Sequence, residues 1–241
     1  MKHLVKKWAL GLSLCVLALG LGASAKADFV TTLDTLLQPN ASVSIGDKIF
    51  ADFDFTAVEF DAAGAPVIPA VNPALIAVTF KDPTPAGVYN VLFQSNQFNA
   101  QNGGIGFLDM KLDFTVETAS GLPLITGVDL ERGFVAGGGT LDIIESVDFN
   151  GPPPGSTGLH VWQDANGGGP VTDFKAITPS SKVWVSKDIL LQGDPNGSGI
   201  SQFTDFTQSF HQQAIPEPAS CVLMGVGLIV GAVAWRRRKA A

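Results

Sequence analysis

Through the middle of the chain apolar and polar residues alternate one by one, the period of a half-buried β-strand and not of a helix. The longest run is Gly106 to Glu117, where Leu108, Met110, Leu112, Phe114 and Val116 alternate with Asp109, Lys111, Asp113, Thr115 and Glu117. Ile49, Phe53, Phe55 and Ala57 alternate in the same way with Asp52, Asp54 and Thr56. The theme returns in three further sets: Leu124, Val128 and Leu130; Leu141, Ile143, Val147 and Phe149; Val183, Val185, Ile189 and Leu191. Turn-forming clusters separate the runs: Ser44 to Asp47, Asn102 to Gly104, Gly137 to Gly139, Gly151 to Gly155, Asn166 to Pro170 and Asp194 to Gly197. Such punctuation predicts roughly ten to twelve short strands and an all-β chain, a β-sandwich with the jelly roll as one form of it.

The two ends break this pattern. At the start, Lys2, Lys6 and Lys7 precede an apolar run from Trp8 to Leu21, and small residues follow in Ala23 to Ala27. This predicts a signal peptide helix over 1–27, handled by the Sec translocon and signal peptidase. Two overlapping A-x-A frames allow cleavage after Ala25 or Ala27; Ala27 is favoured because Asp28 and Phe29 then open the first strand. At the other end Ala219 to Trp235 carries no charge, and Arg236, Arg237, Arg238 and Lys239 follow at once. As a helix this stretch spans about 26 Å at ~1.5 Å per residue, close to a hydrocarbon core of ~30 Å. Trp235 and the basic residues can reach the interface. The cationic tail predicts that end inside and everything before Ile215 outside. Just ahead of the span, Pro216 and Pro218 hold Ile215 and Glu217 extended, a form an enzyme cleft can accept.

Ile215, Pro216, Glu217, Pro218 and Ala219, then an apolar glycine-containing segment, then the arginine cluster closely resemble the PEP-CTERM sorting signal of Gram-negative bacteria. Ile215 stands where valine is common. The resemblance covers only the last part of the chain, Ile215 to Ala241. It implies recognition by an exosortase, processing near the motif, and release or attachment at the cell surface, in association with exopolysaccharide and biofilm matrix. The predicted organisation is therefore a signal peptide (1–27), a β-sandwich ectodomain (28–210), a linker (211–215) and a sorting signal (216–241) containing a transmembrane helix (219–235) and a basic tail (236–239).

Charge sharpens this picture. Between Asp28 and Ile215 stand 7 Lys and Arg against 21 Asp and Glu, a balance of −14 that the basic termini reduce to −7 for the whole chain. That acidity argues against nucleic acid or anionic lipid as partners. Both cysteines, Cys15 and Cys221, lie in the terminal apolar segments, so the exported domain can hold no disulfide and no thiol nucleophile.

Candidate chemistry is sparse. His160 and His211 are the domain's only histidines, and neither neighbours a G-x-S-x-G serine. Same-face acids such as Asp52 with Asp54, or Asp109 with Asp113 and Glu117, would suit a glycosidase, but they also solvate the outside of a strand. Asp194, Asn196, Ser198 and Asp205 have the spacing of a calcium loop, although no helices flank them and the turn alone accounts for Asp-Pro and Asn-Gly. Trp162 opposes Val161, and Trp184 opposes Val183 and Val185. Each is either exposed or buried on a strand's second face, burial being the plainer expectation. These readings favour a non-enzymatic structural or adhesive surface protein with no cofactor, calcium being the one candidate. A polysaccharide-binding module is the alternative, and a polysaccharide hydrolase or lyase is a further one.

Overall fold

The computed structural model describes residues 28–68, 70–81, 83–84, 87–149 and 156–212. The signal peptide with Ala25 and Ala27, the motif Pro216, Glu217 and Pro218, the membrane segment 219–235 and the tail Arg236, Arg237, Arg238 and Lys239 lie outside them. Among the described residues no helix is long and apolar enough to cross a membrane.

Fifteen strands are described: β1 (Phe29–Thr32), β2 (Ser42–Ile45), β3 (Lys48–Phe60), β4 (Pro66–Val67), β5 (Ala77–Lys81), β6 (Val88–Gln94), β7 (Asn99–Gln101), β8 (Phe107–Thr118), β9 (Ile125–Arg132), β10 (Thr140–Phe149), β11 (Ser156–Gln163), β12 (Thr172–Ser180), β13 (Lys182–Gln192), β14 (Ile200–Gln202) and β15 (Asp205–Gln212). One four-residue helix, α1 (Leu33–Leu36), and a 3-10 turn, Pro73–Leu75, complete the list of elements. Six strands form one sheet in the order β1-β5-β6-β15-β9-β12. Seven form the other, β11-β10-β13-β8-β3-β2 with β4 beside β3, while β14 and β7 make a small third ladder. The neighbouring strands pair antiparallel. The β-sandwich expected from the alternation is the architecture observed, with more strands among the described residues than anticipated.

The core fills the space between the two large sheets. Leu108, Met110, Leu112, Phe114 and Val116 of β8 all point into it, as their alternation predicted. Phenylalanines carry much of the contact between sheets. Phe114 stacks on Phe53 with ring centroids 5.2 Å apart and meets Phe93 and Phe210 of the opposite sheet, each at 6.2 Å. Phe50 reaches Phe80 at 5.0 Å and Phe210 at 5.9 Å.

On β3 the alternation does not run straight through. The register with β8 shifts between Ala51 and Asp54, and Asp52 takes φ 56. This bulge inserts one residue and reverses which parity faces inward. Lys48 and Phe50 face the core before it, Phe53 after it, and Ile49, which the sequence pattern grouped with Phe53, faces solvent. A second departure lies on β9, where Ile125 and not Leu124 is fully buried.

Several polar side chains are also buried. Lys48 Nζ donates to Asp47 Oδ1 at 2.8 Å, Gln212 Oε1 at 2.8 Å and the Pro123 carbonyl at 3.3 Å, and lies 4.8 Å from the Tyr89 ring centre. Tyr89 donates its hydroxyl to the same Asp47 carboxylate, and burial followed by that carboxylate pushes the phenol's pKa up. Arg132 fans its donors over carbonyls of Trp162, Pro170, Gly133 and Gly169 and onto Gln163 Oε1, tying the β11–β12 loop to the end of β9. Glu145 and Lys187 are both fully buried at the centre of the seven-stranded sheet. The chain leaves through β15, which runs to Gln212, two residues into the stretch read as the linker 211–215.

Because Phe114 joins both sheets, Phe114→Ala should lower the unfolding free energy by about 3–5 kcal/mol. Chemical denaturation checks this, with exposed Val58→Ser expected to leave stability within about 0.5 kcal/mol.

Candidate functional site

A strand buried on one face offers the other to solvent, so the outer side of the seven-stranded sheet can be read from the register. One cross-strand row holds Asp148, Trp184, Thr115 and Ala51. The next holds Ser146, Ser186, Asp113 and Asp54, and the one beyond it Ile144, Asp188, Lys111 and Thr56. Across β10 and β13 the middle row carries two serines where its neighbours carry Asp148 with Trp184 and Ile144 with Asp188, so the middle row sinks between them. There the surface forms a recess of about 280 Å³, lined chiefly by Asp52, Asp113, Thr115, Asp148, Trp184 and Ser186.

Each wall has a local cause. The bulge turns Asp52 toward β8, where its Oδ2 accepts from Thr115 Oγ1 at 2.9 Å. Lys182 Nζ lies 3.8 Å from Asp52 and 3.8 Å from Glu117, and sits 5.3 Å from the Trp184 ring centre. Trp184 is thereby fixed from one side, with the recess on the other. Lys111 holds Asp113 at 2.9 Å. Asp148 forms no ion pair among the described residues. The wall thus offers an aromatic face, three carboxylates and two hydroxyls, a set suited to a ring with both apolar and hydroxylated edges.

Trp162 stands on the same outer face, in the row of Asp142, Leu190 and Asp109, and is 36 % exposed. Six residues of β13 separate this row from that of Trp184, about 20 Å at ~3.4 Å per residue. Neither tryptophan lies in the core, so the expectation of burial on a second face is corrected: this sheet has only one buried face. His160 Nε2 lies 2.6 Å from Asp142 Oδ1 on the exposed side, and His211 Nε2 lies 2.7 Å from Asp129 Oδ2. The two histidines sit in different sheets and form no common site. Burial, then the charge and hydrogen bond of Asp188, raise the pKa of the Asp109 carboxyl.

The candidate calcium residues are distributed over separate elements. Asp194 Oδ1 accepts the backbone N–H of Asn196 at 2.9 Å, and the Asp194 carbonyl accepts that of Gly197 at 3.2 Å, closing a turn. Ser198 precedes β14, and Asp205 opens β15 beyond it, where it accepts from Thr204 Oγ1 at 2.6 Å. Among the described residues no group of three or more His, Cys, Asp or Glu is placed to hold a metal ion.

Sequence pattern pointed to Trp184 through its place opposite Val183 and Val185. It gave no sign of Asp148, Thr115 or Ser186 as its neighbours, because only the register across β10, β13 and β8 brings them together.

Comparison with known proteins separates the end of the chain from its body. The family model of the PEP-CTERM protein-sorting motif matches residues 214–239. No curated protein matches the chain in sequence. Among solved structures, one described as "CBM4 structure and function" is 10% identical, with 76% of this chain and 100% of that chain covered and a TM-score of 0.26. The Arthrobacter globiformis T6 isomalto-dextranase complexed with panose is 12% identical over 67% of this chain and 34% of its own, at a TM-score of 0.25. The family 32 CBM from C. perfringens NanJ, in complex with galactose, is 11% identical over 65% and 93%, at 0.20. At such scores these likenesses assign no residue and no activity here. The matched motif takes in Pro216, Glu217, Pro218 and the basic tail and begins two residues after the last strand ends at Gln212, and on that ground the chain is a PEP-CTERM sorting-domain-containing protein, exported and sorted to the cell envelope or surface.

Proposed function

We propose that this protein is a non-catalytic adhesive component of the extracellular matrix. In this reading its sandwich domain binds polysaccharide in the recess around Trp184, and an exosortase processes the chain at Pro216, Glu217 and Pro218. The precursor waits at the inner membrane, held by 219–235 and by the cations of 236–239, which do not cross.

The observation that carries the reading is the wall itself: a half-buried tryptophan set among Asp52, Asp113, Asp148, Thr115 and Ser186 in a concave surface. The C–H face of a sugar ring packs on an aromatic plane, and its paired hydroxyls donate to carboxylates, whose charge strengthens such bonds. Ser146 beside Ser186 extends the low floor across the strands, so a chain and not only a single ring can lie there. The acidity of the domain disfavours anionic polymers through repulsion, so the ligand is a neutral or cationic glycan.

Retention of the full chain on insoluble polysaccharides tests the recess. Trp184→Ala should weaken binding roughly 30-fold, as loss of a central aromatic anchor does, while thermal unfolding stays unchanged. Equal retention of that variant would count against the recess, and failure of wild type on neutral and amino-sugar polymers alike would end the reading. For sorting, Glu217→Ala should leave an unprocessed, membrane-retained precursor on immunoblots of cell fractions. Normal processing of that variant would remove Glu217 from the recognition.

A further inference from the structure

The most unusual feature of the core is independent of the outer face. Lys187 and Glu145 lie directly opposite each other across β13 and β10, and both point inward. From the other sheet, Gln208 of β15 meets them. Lys187 Nζ donates to Glu145 Oε2 and to Gln208 Oε1, and all three side chains are fully buried. Their surroundings are mostly apolar: Val185 and Ile189 along β13, Leu112 beside it, and Val91, Leu130 and Phe206 around Gln208, while Gln208 Nε2 donates to the Ser209 carbonyl at 3.5 Å and the charge of Asp129 reaches Lys187. The Phe206 ring centre is 5.9 Å from Nζ. Glu145 Oε1 has no hydrogen-bond partner among the described residues.

As a device for stability this arrangement is a poor one. A buried ion pair costs desolvation that hydrophobic residues of like volume avoid, and an orphaned carboxylate oxygen adds to that cost. As chemistry it is complete. An amine, a carboxyl group and a carboxamide meet in a dry site, and they are a nucleophile, a proton carrier and an acyl group. Burial drives the Lys187 pKa well below its ordinary value, toward the neutral, nucleophilic amine.

The geometry points to an intramolecular isopeptide cross-link between Lys187 and Gln208, formed by the chain itself with Glu145 carrying the proton. The Nζ lone pair attacks Cδ of Gln208, and the Nζ–Cδ bond forms as the carbonyl electron pair moves onto Oε1. Glu145 takes a proton from Nζ and delivers it to Nε2, which must first turn from the Ser209 carbonyl it faces at 3.5 Å. The Cδ–Nε2 bond then breaks with its electron pair, and one ammonia leaves. Glu145 is regenerated, nothing is oxidised or reduced, and no co-reactant is consumed. The product ties the seven-stranded sheet to the six-stranded sheet through a closure of 21 residues. The domain from Asp28 to Gln212 contains no cysteine, so no disulfide can supply such a tie.

Peptide mapping of the purified full chain decides the matter. Chymotrypsin cuts after Trp184 and Phe206, which places Lys187, Gln208 and Glu145 in separate peptides. The expected result is a branched peptide joining Lys187 to Gln208, lighter by one ammonia than the sum of its parts, with trypsin failing to cut after Lys187. In Glu145→Gln the two peptides should appear separate and at full mass. Free Lys187 and Gln208 peptides from wild type would overturn the proposal. A branch from Lys187 to Glu145 lighter by one water would overturn the choice of Gln208 as acyl donor, and a cross-link persisting in Glu145→Gln would overturn the proton carrier. The wild-type map alone is decisive if that variant fails to fold.

Discussion

Side chains on a strand alternate between two faces, and in this domain that constraint joins the core to the recess. On β13, Val183, Val185 and Lys187 point into the sandwich, while Trp184 and Ser186 between them point out. The recess wall is therefore held by residues immediately adjacent to the buried ones, on the same backbone. Movement of Trp184 relative to Asp148 or Thr115 would require β13 to slide against β10 or β8, which would displace the inward set as well. A site on such strands is pre-ordered at little further entropic cost, unlike a site built on loops.

The same constraint explains what could be read from the residues alone. The runs on β8, β10 and β13 were legible as strands because one face of each is predominantly apolar. Two of those runs were incomplete in an informative way. Leu141, Ile143, Val147 and Phe149 skip Glu145, and Val183, Val185, Ile189 and Leu191 skip Lys187. Each gap falls on an inward position, and the two gaps turn out to face each other. A polar residue in the apolar frame of a strand is thus a sign of a buried pair, but nothing in one sequence pairs β10 with β13. On β3 the failure had another cause. A bulge adds a residue without changing the composition, so Ile49 kept the parity of the core set and lost its face. The recess stayed hidden for the same reason as the pairing: its residues come from β3, β8, β10 and β13, and sequence order does not specify adjacency.

The buried cations divide by position. Lys48 and Arg132 sit near the ends of strands, where carbonyls and loop side chains satisfy their donors. They hold turns in place, and their surroundings supply enough acceptors that burial is tolerated. Lys187 sits mid-strand, far from any turn, and among the described residues its amine donates to one carboxylate and one carboxamide, with the charge of Asp129 also acting on it. End-of-strand placement accounts for the first two as anchors. It gives no such account of the third, and this contrast separates a structural lysine from one arranged for reaction.

The anchor at Lys48 also bears on sorting. Through its antiparallel neighbours β1 runs opposite to β15, so the start of β1 and the end of β15 lie at one end of the six-stranded sheet. At that end Gln212 is fixed twice: Lys48 Nζ donates to its side chain at 2.8 Å, and its backbone N–H donates to the Gly87 carbonyl at 3.2 Å. The chain is thus held firmly up to the residue two places ahead of the matched motif. The backbone hydrogen bonds of β15 cannot be given up without unpairing both β6 and β9. In the proposed reading, sorting therefore acts beyond a domain whose last strand is already paired on both sides.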